Sequence, residues 1–253
     1  MVILLWYNML ELGDSMKKKN LIIIIILLVI FSVLVAFNYY FKETPKEEKK
    51  EPVVVEKEKK IDYEKIINDL KNKYNNSDVV ALVEIPNVLE ETIVQSTNND
   101  FYLHFDIYKN ENIIGASFLD YRNDINSSNK LLIYSHSDPE GTLPFVKLNN
   151  YNNEEFFKNN KYIYLTDSNS KRKYEVFASY IETDDFDYVN LKRFNGLTYG
   201  EHLNKLKSKS YVQSDVELDD DSKVLILQTC SFNSDINAKD KFQLVMAKEI
   251  DNN

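Results

Sequence analysis

The sequence predicts a mainly β domain carried behind a single membrane-spanning helix. Three observations predict it: a long uncharged apolar run near the N-terminus, a charged Pro-containing stretch after it, and then a series of short β-branched and aromatic runs separated by Asn, Asp, Ser and Gly. Many short strands at such spacing indicate a β-sandwich or a barrel.

Residues 21–37 contain no charge, and Asn38, Tyr39, Tyr40 and Phe41 extend the run to an aromatic interface. About 20 apolar residues cross a bilayer, so 21–41 reads as one span. Unlike a core helix, it has no polar face. No small-x-small cleavage site follows it, which favours an uncleaved signal anchor over a removed signal peptide. Lys17, Lys18 and Lys19 before the run place residues 1–20 in the cytoplasm and the bulk of the chain outside the cell, single-pass. Residues 42–60, "KETPKEEKKEPVVVEKEKK", have almost nothing to bury and read as a solvated stalk.

The remaining domain is 61–253. Tyr63, Ile66, Ile67 and Leu70 recur at helical spacing, so an amphipathic helix opens it. The runs "VVALVEI", "TIVQ", "NIIGASFL", "KLLIYSHS", "YIYLT", "YEVFASYIE", "KVLILQTC" and "FQLVMAKEI" follow as strands, with a second helix, "TYGEHLNKLKSKS", inserted before the last two.

A formal net charge of −9 argues against nucleic acid as a partner, because phosphate binding needs a basic surface. A single cysteine makes neither an intramolecular disulfide nor a thiolate cluster. Three scattered histidines, none at ligand spacing, predict no metal site, and no Gly-rich loop offers a phosphate cradle, so no cofactor is expected. Among those histidines, His202 falls in the second helix and reads as a solvated side chain. His104, within "FYLHFD", reads as a packed, hydrogen-bonded one. His136 differs: it sits in the polar triplet that ends the apolar strand "KLLIY". Cys230 repeats that arrangement at the end of "VLILQT". Strand ends are where scaffolds present reactive groups, and a cysteine nucleophile needs an imidazole partner to supply thiolate near neutral pH.

"ILQTC" resembles the Thr-Leu-x-Thr-Cys signature of sortases, and "IYSHS" resembles the strand-end histidine motif of that family, with Ser135 in place of the usual Gly. "NDFYLHFD" followed by "IIGASFLDYRN" is similar to class B sortases in particular, as are both helices. The likeness runs from about residue 61 onward. It implies a sortase-type β-barrel and a membrane-anchored cysteine transpeptidase that cleaves a C-terminal sorting motif after Thr. Carried over by motif position, Cys230 would be the nucleophile forming a thioester, His136 the acid that protonates the leaving amine, and Thr229 a residue lining the substrate groove. The implied partners are secreted proteins bearing the motif, with an amino group of a peptidoglycan precursor or of a protein as acceptor.

One departure stands out. The family carries an arginine on the strand after the cysteine, which orients the motif and stabilises the oxyanion; alignment through Ala247 and Lys248 puts Phe242 there. By strand alternation Phe242, Leu244 and Met246 share one face, read as barrel interior, and Lys241, Gln243, Val245 and Ala247 the other. A bulge would present Lys241 or Gln243 to the groove as a replacement donor. Two further readings compete. A papain-like hydrolase is disfavoured, because there the cysteine precedes the histidine. A membrane-tethered, weak or inactive sortase-like domain that only binds sorting motifs or wall components is kept open by the missing arginine.

Overall fold

A computed structural model describes residues 14–40, 61–183, 186–189 and 196–251; the expected stalk at 42–60 and the first 13 residues lie outside them. The chain falls into two units, 1–59 and 60–253.

The first unit contributes one helix, α1 (Asp14–Tyr40), whose 18-residue window 21–38 has a mean hydropathy of 3.2. That is long and apolar enough to cross a bilayer.

The second unit is an eight-stranded closed barrel: β1 (Val79–Ile85), β2 (Leu89–Val94), β3 (Phe118–Leu119), β4 (Lys130–Tyr134), β5 (Tyr162–Thr166), β6 (Lys171–Glu182), β7 (Val224–Cys230) and β8 (Phe242–Ile250), in the order β1-β2-β3-β4-β7-β8-β6-β5. Each apolar run in the sequence supplies one strand, although "NIIGASFL" gives only two strand residues. The opening helix, α2 (Tyr63–Tyr74), is capped by Asp62 accepting from the Lys65 amide and buries Ile67 against Val79, Val94 and Phe118. A one-turn helix, α3 (Phe101–His104), a 3-10 stretch (Pro144–Asn152) and a short helix, α4 (Glu154–Asn159), fill the connections. The inserted helix, α5 (Tyr199–Ser208), starts with a reciprocal capping box between Thr198 and Glu201.

The barrel interior is built from alternate residues of all eight strands, Ala81, Ile93, Leu119, Leu131, Leu165, Val176, Leu227 and Ala247 among them, and the 3-10 stretch adds Phe145, Leu148 and Tyr151. A second apolar layer lies on the outer surface of β4, β6, β7 and β8, where Leu132, Ile226, Leu244 and Met246 meet Leu203 and Leu206 of α5. This reverses the expected facing of the last strand. Gln243, Val245 and Ala247 point inward, and Phe242, Leu244 and Met246 point out under the helix. The small side chains fit the barrel and the bulky ones fit the roomier layer outside it, and a strand covered on both faces is apolar on both.

The two non-candidate histidines also exchange their expected environments. His202 is 2% exposed, because α5 is packed on one side by the barrel and on another by the backbone of Asp219 against Gly200. His104 is exposed and 3.6 Å from Asp100, since the single turn of α3 buries Tyr102 and stacks Phe101 on Phe105, leaving the next position to solvent.

Candidate functional site

β4 and β7 are parallel neighbours, so their C-terminal ends leave the sheet side by side. Their register pairs Tyr134 with Gln228. It carries on past the strand: the Ser135 amide donates to the Gln228 carbonyl at 3.1 Å, and Thr229 Oγ1 donates to the Ser135 carbonyl at 2.9 Å. His136 and Cys230 each lie two residues beyond the Tyr134–Gln228 pair, on the exits of these two neighbouring strands. The site thus rests on long-range pairing between segments 94 residues apart in sequence.

On its other side Cys230 pairs with Phe242 of antiparallel β8. The Ser231 amide donates to the Lys241 carbonyl at 2.8 Å, so Cys230 and Phe242 form the intervening non-hydrogen-bonded pair, whose side chains stand closest. The Phe242 ring packs edge-on against Phe186, with centroids 5.8 Å apart. Phe186 has φ 43°, a left-handed conformation that a bulky residue adopts only when its surroundings impose it. Those surroundings are visible: Tyr188 donates its hydroxyl to Gln228 Oε1 at 2.8 Å, and Lys130 Nζ donates to the Val189 carbonyl at 2.7 Å.

Cys230 is a free, half-buried thiol. Burial pushes its pKa up, and the Asp240 carboxylate pushes it further the same way, because both disfavour the thiolate. His136 Nε2 lies 3.3 Å from the Leu103 carbonyl. A carbonyl only accepts, so a hydrogen bond there places the proton on Nε2 and leaves the Nδ1 lone pair of the neutral ring free.

Leu103 belongs to α3, and what lets α3 approach is Gly115. Its φ is +63°, and a Cβ there would collide with the Tyr102 carbonyl and stand 3.1 Å from the carbonyl of Leu103. The chain is stitched on both sides of this contact, Ala116 amide to Tyr102 carbonyl at 2.9 Å and Asn112 amide to His104 carbonyl at 2.7 Å. "FLDYRN" turns out to be a brace. Asp120 is wholly buried and receives Arg122 Nε and NH2, Asn99 and the Tyr134 hydroxyl at 2.8 Å. Burial alone would raise its pKa, but the Arg122 bonds outweigh it and hold the carboxyl at about 2. The motif therefore anchors the end of β4, two residues before His136.

The remaining candidates take other positions. Thr229 is 2% exposed and turned inward, so its hydroxyl joins two strand exits and its side chain does not line a groove. Gln243 is fully buried, its amide paired reciprocally with Asn152 and donating to Ser179 Oγ at 2.8 Å. No bulge turns it toward the thiol, because β8 keeps one register with β7 from Lys248 to Phe242. Lys241 lies at the strand end with Nζ on the carbonyls of Asn233 (2.6 Å) and Ile236 (3.2 Å), within the loop that leads away from Cys230. Among the described residues, no group of three or more His, Cys, Asp or Glu side chains is placed to hold a metal. Sequence reasoning missed Leu103 and Gly115. The signal for the second was available: an isolated Gly in an apolar run, in a chain with only five, marks close backbone approach.

No family model matches the chain. Two curated proteins do: Sortase B of Listeria monocytogenes, 31% identical over 163 residues (63% of this chain, 65% of that protein), and Sortase B of Staphylococcus aureus, 27% identical over 157 residues (61% and 64%). Among solved structures, Clostridium perfringens sortase B shares 27% identity at a TM-score of 0.63, over 73% of this chain and 99% of that one. The chain resembles class B sortases in sequence and in barrel fold. The match spans under two thirds of the curated sortases' length. A substrate complex of the S. aureus sortase B shares the barrel at a TM-score of 0.63 and 24% identity. A sortase B has also been solved in complex with triglycine. Beside the thiol of this chain stands the aromatic pair of Phe242 and Phe186.

Proposed function

We propose that this chain is a membrane-anchored cysteine transpeptidase that joins secreted proteins bearing a C-terminal sorting motif to an amino group of the cell wall. What supports the reading most is the pairing of the two strand exits that lead into His136 and Cys230, Ser135 amide to Gln228 carbonyl and Thr229 hydroxyl to Ser135 carbonyl. The Cys230 thiolate attacks the carbonyl of the motif's Thr. His136, as the imidazolium, gives a proton to the departing amine, and the acyl group stays on sulfur as a thioester. An incoming amine then attacks that thioester, His136 accepts the proton the amine loses, and Cys230 leaves as the thiolate, which restores the starting thiolate–imidazolium pair. Splitting the exchange into two acyl transfers keeps the bond energy in the thioester without an external energy source.

The substrate complex of the S. aureus enzyme and the triglycine complex support a peptide donor and an amine acceptor. Helix α1 supports single-pass attachment with the catalytic domain outside the cell, at the membrane face where both substrates arrive. The domain boundaries that go with this are a cytoplasmic 1–20, an anchor 21–41, a stalk 42–60 and a catalytic domain 61–253. Of the two donors considered for the oxyanion, Lys241 is the one retained, because its ammonium is held by carbonyls of the loop that follows Cys230; Gln243 is committed inside the barrel.

The test is intact-mass spectrometry of the 61–253 domain mixed with a panel of Asn-Pro-x-Thr-type peptides. An acyl adduct on Cys230 that is discharged by triglycine is expected. Normal peptide binding with no adduct, under conditions where another sortase B reacts, would overturn the transpeptidase and leave a binding domain.

A further inference from the structure

Beneath the thiol, the inward-facing positions of the barrel change from apolar to polar at one level. Glu91 of β2, Ser117, Ser135 and Thr229 all occupy the inward alternation of their strands, continuing the rows of Ile93, Leu119, Ile133 and Leu227. They are linked. Ser117 Oγ is 2.9 Å from Glu91 Oε1 and 2.8 Å from Ser135 Oγ, and the Ser135 carbonyl receives Thr229 Oγ1 at 2.9 Å. Ser135 immediately precedes His136, and Thr229 immediately precedes Cys230. One chain of hydrogen bonds therefore fixes the residue before each reacting group, and it ends on a carboxyl.

A hydroxyl carries one proton, so the chain has a direction set by its end. With Glu91 ionised, Ser117 donates to the carboxylate and Ser135 donates to Ser117. Both hydroxyl rotors are then locked. Burial raises the Glu91 pKa against the Ser117 bond, which lowers it, so holding this carboxylate inside the barrel is costly. An apolar side chain among Val83, Ile93 and Leu119 would avoid that cost. Ser135 is also the place where this chain departs from the glycine of the sortase motif, and its added hydroxyl is the middle link.

We propose that Glu91, acting through Ser117 and Ser135, is a positioning residue that sets His136 against Cys230. The proposal rests on the transpeptidase reading for its purpose, but its test does not use a sorting peptide. The probe is iodoacetamide, which alkylates Cys230 at a rate that follows its thiolate fraction, and that fraction depends on an imidazolium in the right place. His136→Ala sets the size of the effect. Ser135→Gly and Glu91→Leu are expected to lose most of that same rate, about five- to tenfold, for a displacement well under 1 Å. Glu91→Gln keeps an acceptor for Ser117 and should recover most of what Glu91→Leu loses.

The melting temperature separates positioning from support. Replacing a half-buried carboxylate by leucine should leave stability unchanged or higher, so for Glu91→Leu the rate falls while the melting temperature does not. Alkylation at the wild-type rate in Ser135→Gly and Glu91→Leu would overturn the proposal. So would equal losses in Glu91→Gln and Glu91→Leu, or a rate insensitive to His136→Ala. None of these results depends on finding the sorting motif, so the proposal and the transpeptidase reading fail separately.

Discussion

The two flanks of Cys230 are built on opposite principles. Toward β4 the neighbours are polar and over-determined by hydrogen bonds: Thr229 on Ser135, Ser135 on Ser117, Ser117 on Glu91, and His136 on the Leu103 carbonyl. Toward β8 the neighbour is Phe242, packed edge-on against a Phe186 that is held in a left-handed conformation. One flank holds the proposed proton-transfer group; the other offers a ring where the sortase pattern places an arginine. In the proposed reading, the acid and the nucleophile come from the polar flank, and the residue paired with Cys230 on β8 carries no charge. Acyl transfer on this barrel is then expected to rest on the β4 side, with the aromatic flank setting how fast it runs.

Breaking the polar flank gives the largest effect. Gly115→Ala places a Cβ against the Tyr102 carbonyl at a positive φ, forcing α3 and its Leu103 carbonyl away from His136. A loss of at least about 2 kcal/mol in chemical denaturation is expected. A change within about 0.5 kcal/mol would mean that α3 is not held by this contact.

Charging the aromatic flank gives the next effect. Phe242→Arg puts a guanidinium beside the thiol, where it stabilises the thiolate and offers donors to an oxyanion. One oxyanion donor is commonly worth about 10²–10³ in rate, and part of that is lost with the ring contact on Phe186, so a gain of about tenfold in thioester formation is expected. A slower Phe242→Arg protein would show that the aromatic flank contributes to the reaction itself.

The smallest effect comes from Asp240. Its carboxylate raises the Cys230 pKa, so removing the charge should lower it and increase the thiolate fraction at any pH below the pKa. For Asp240→Asn, alkylation at about pH 7.5 should rise about twofold and its pH profile should move toward acid. An alkaline movement would contradict that sign.

The strands, both domain helices and the strand-end positions of His136 and Cys230 were legible in the sequence, because each depends on local alternation or on a short motif. What was not legible depends on which layer lies over a surface. Phe242, Leu244 and Met246 alternate cleanly with Gln243, Val245 and Ala247, but alternation alone does not say which set meets the helix and which fills the barrel. The same reason explains His202, buried because α5 is covered on more than one side, and His104, exposed because α3 lasts a single turn. The sortase motif puts Thr229 in a groove, and a bulge in β8 would have turned Gln243 toward it. Their polarity instead serves an internal layer whose members come from β2, β6, β7, β8 and the segments before β3 and after β4, far apart in sequence.

The measurement that tests the central claim most directly is the mass of the acyl adduct mapped to a single residue. After mixing with the peptide panel and acid quenching, the domain should carry the mass of the peptide's N-terminal fragment on Cys230, released by hydroxylamine and absent in Cys230→Ala. An adduct on any other residue, or the same turnover in Cys230→Ala, would contradict it.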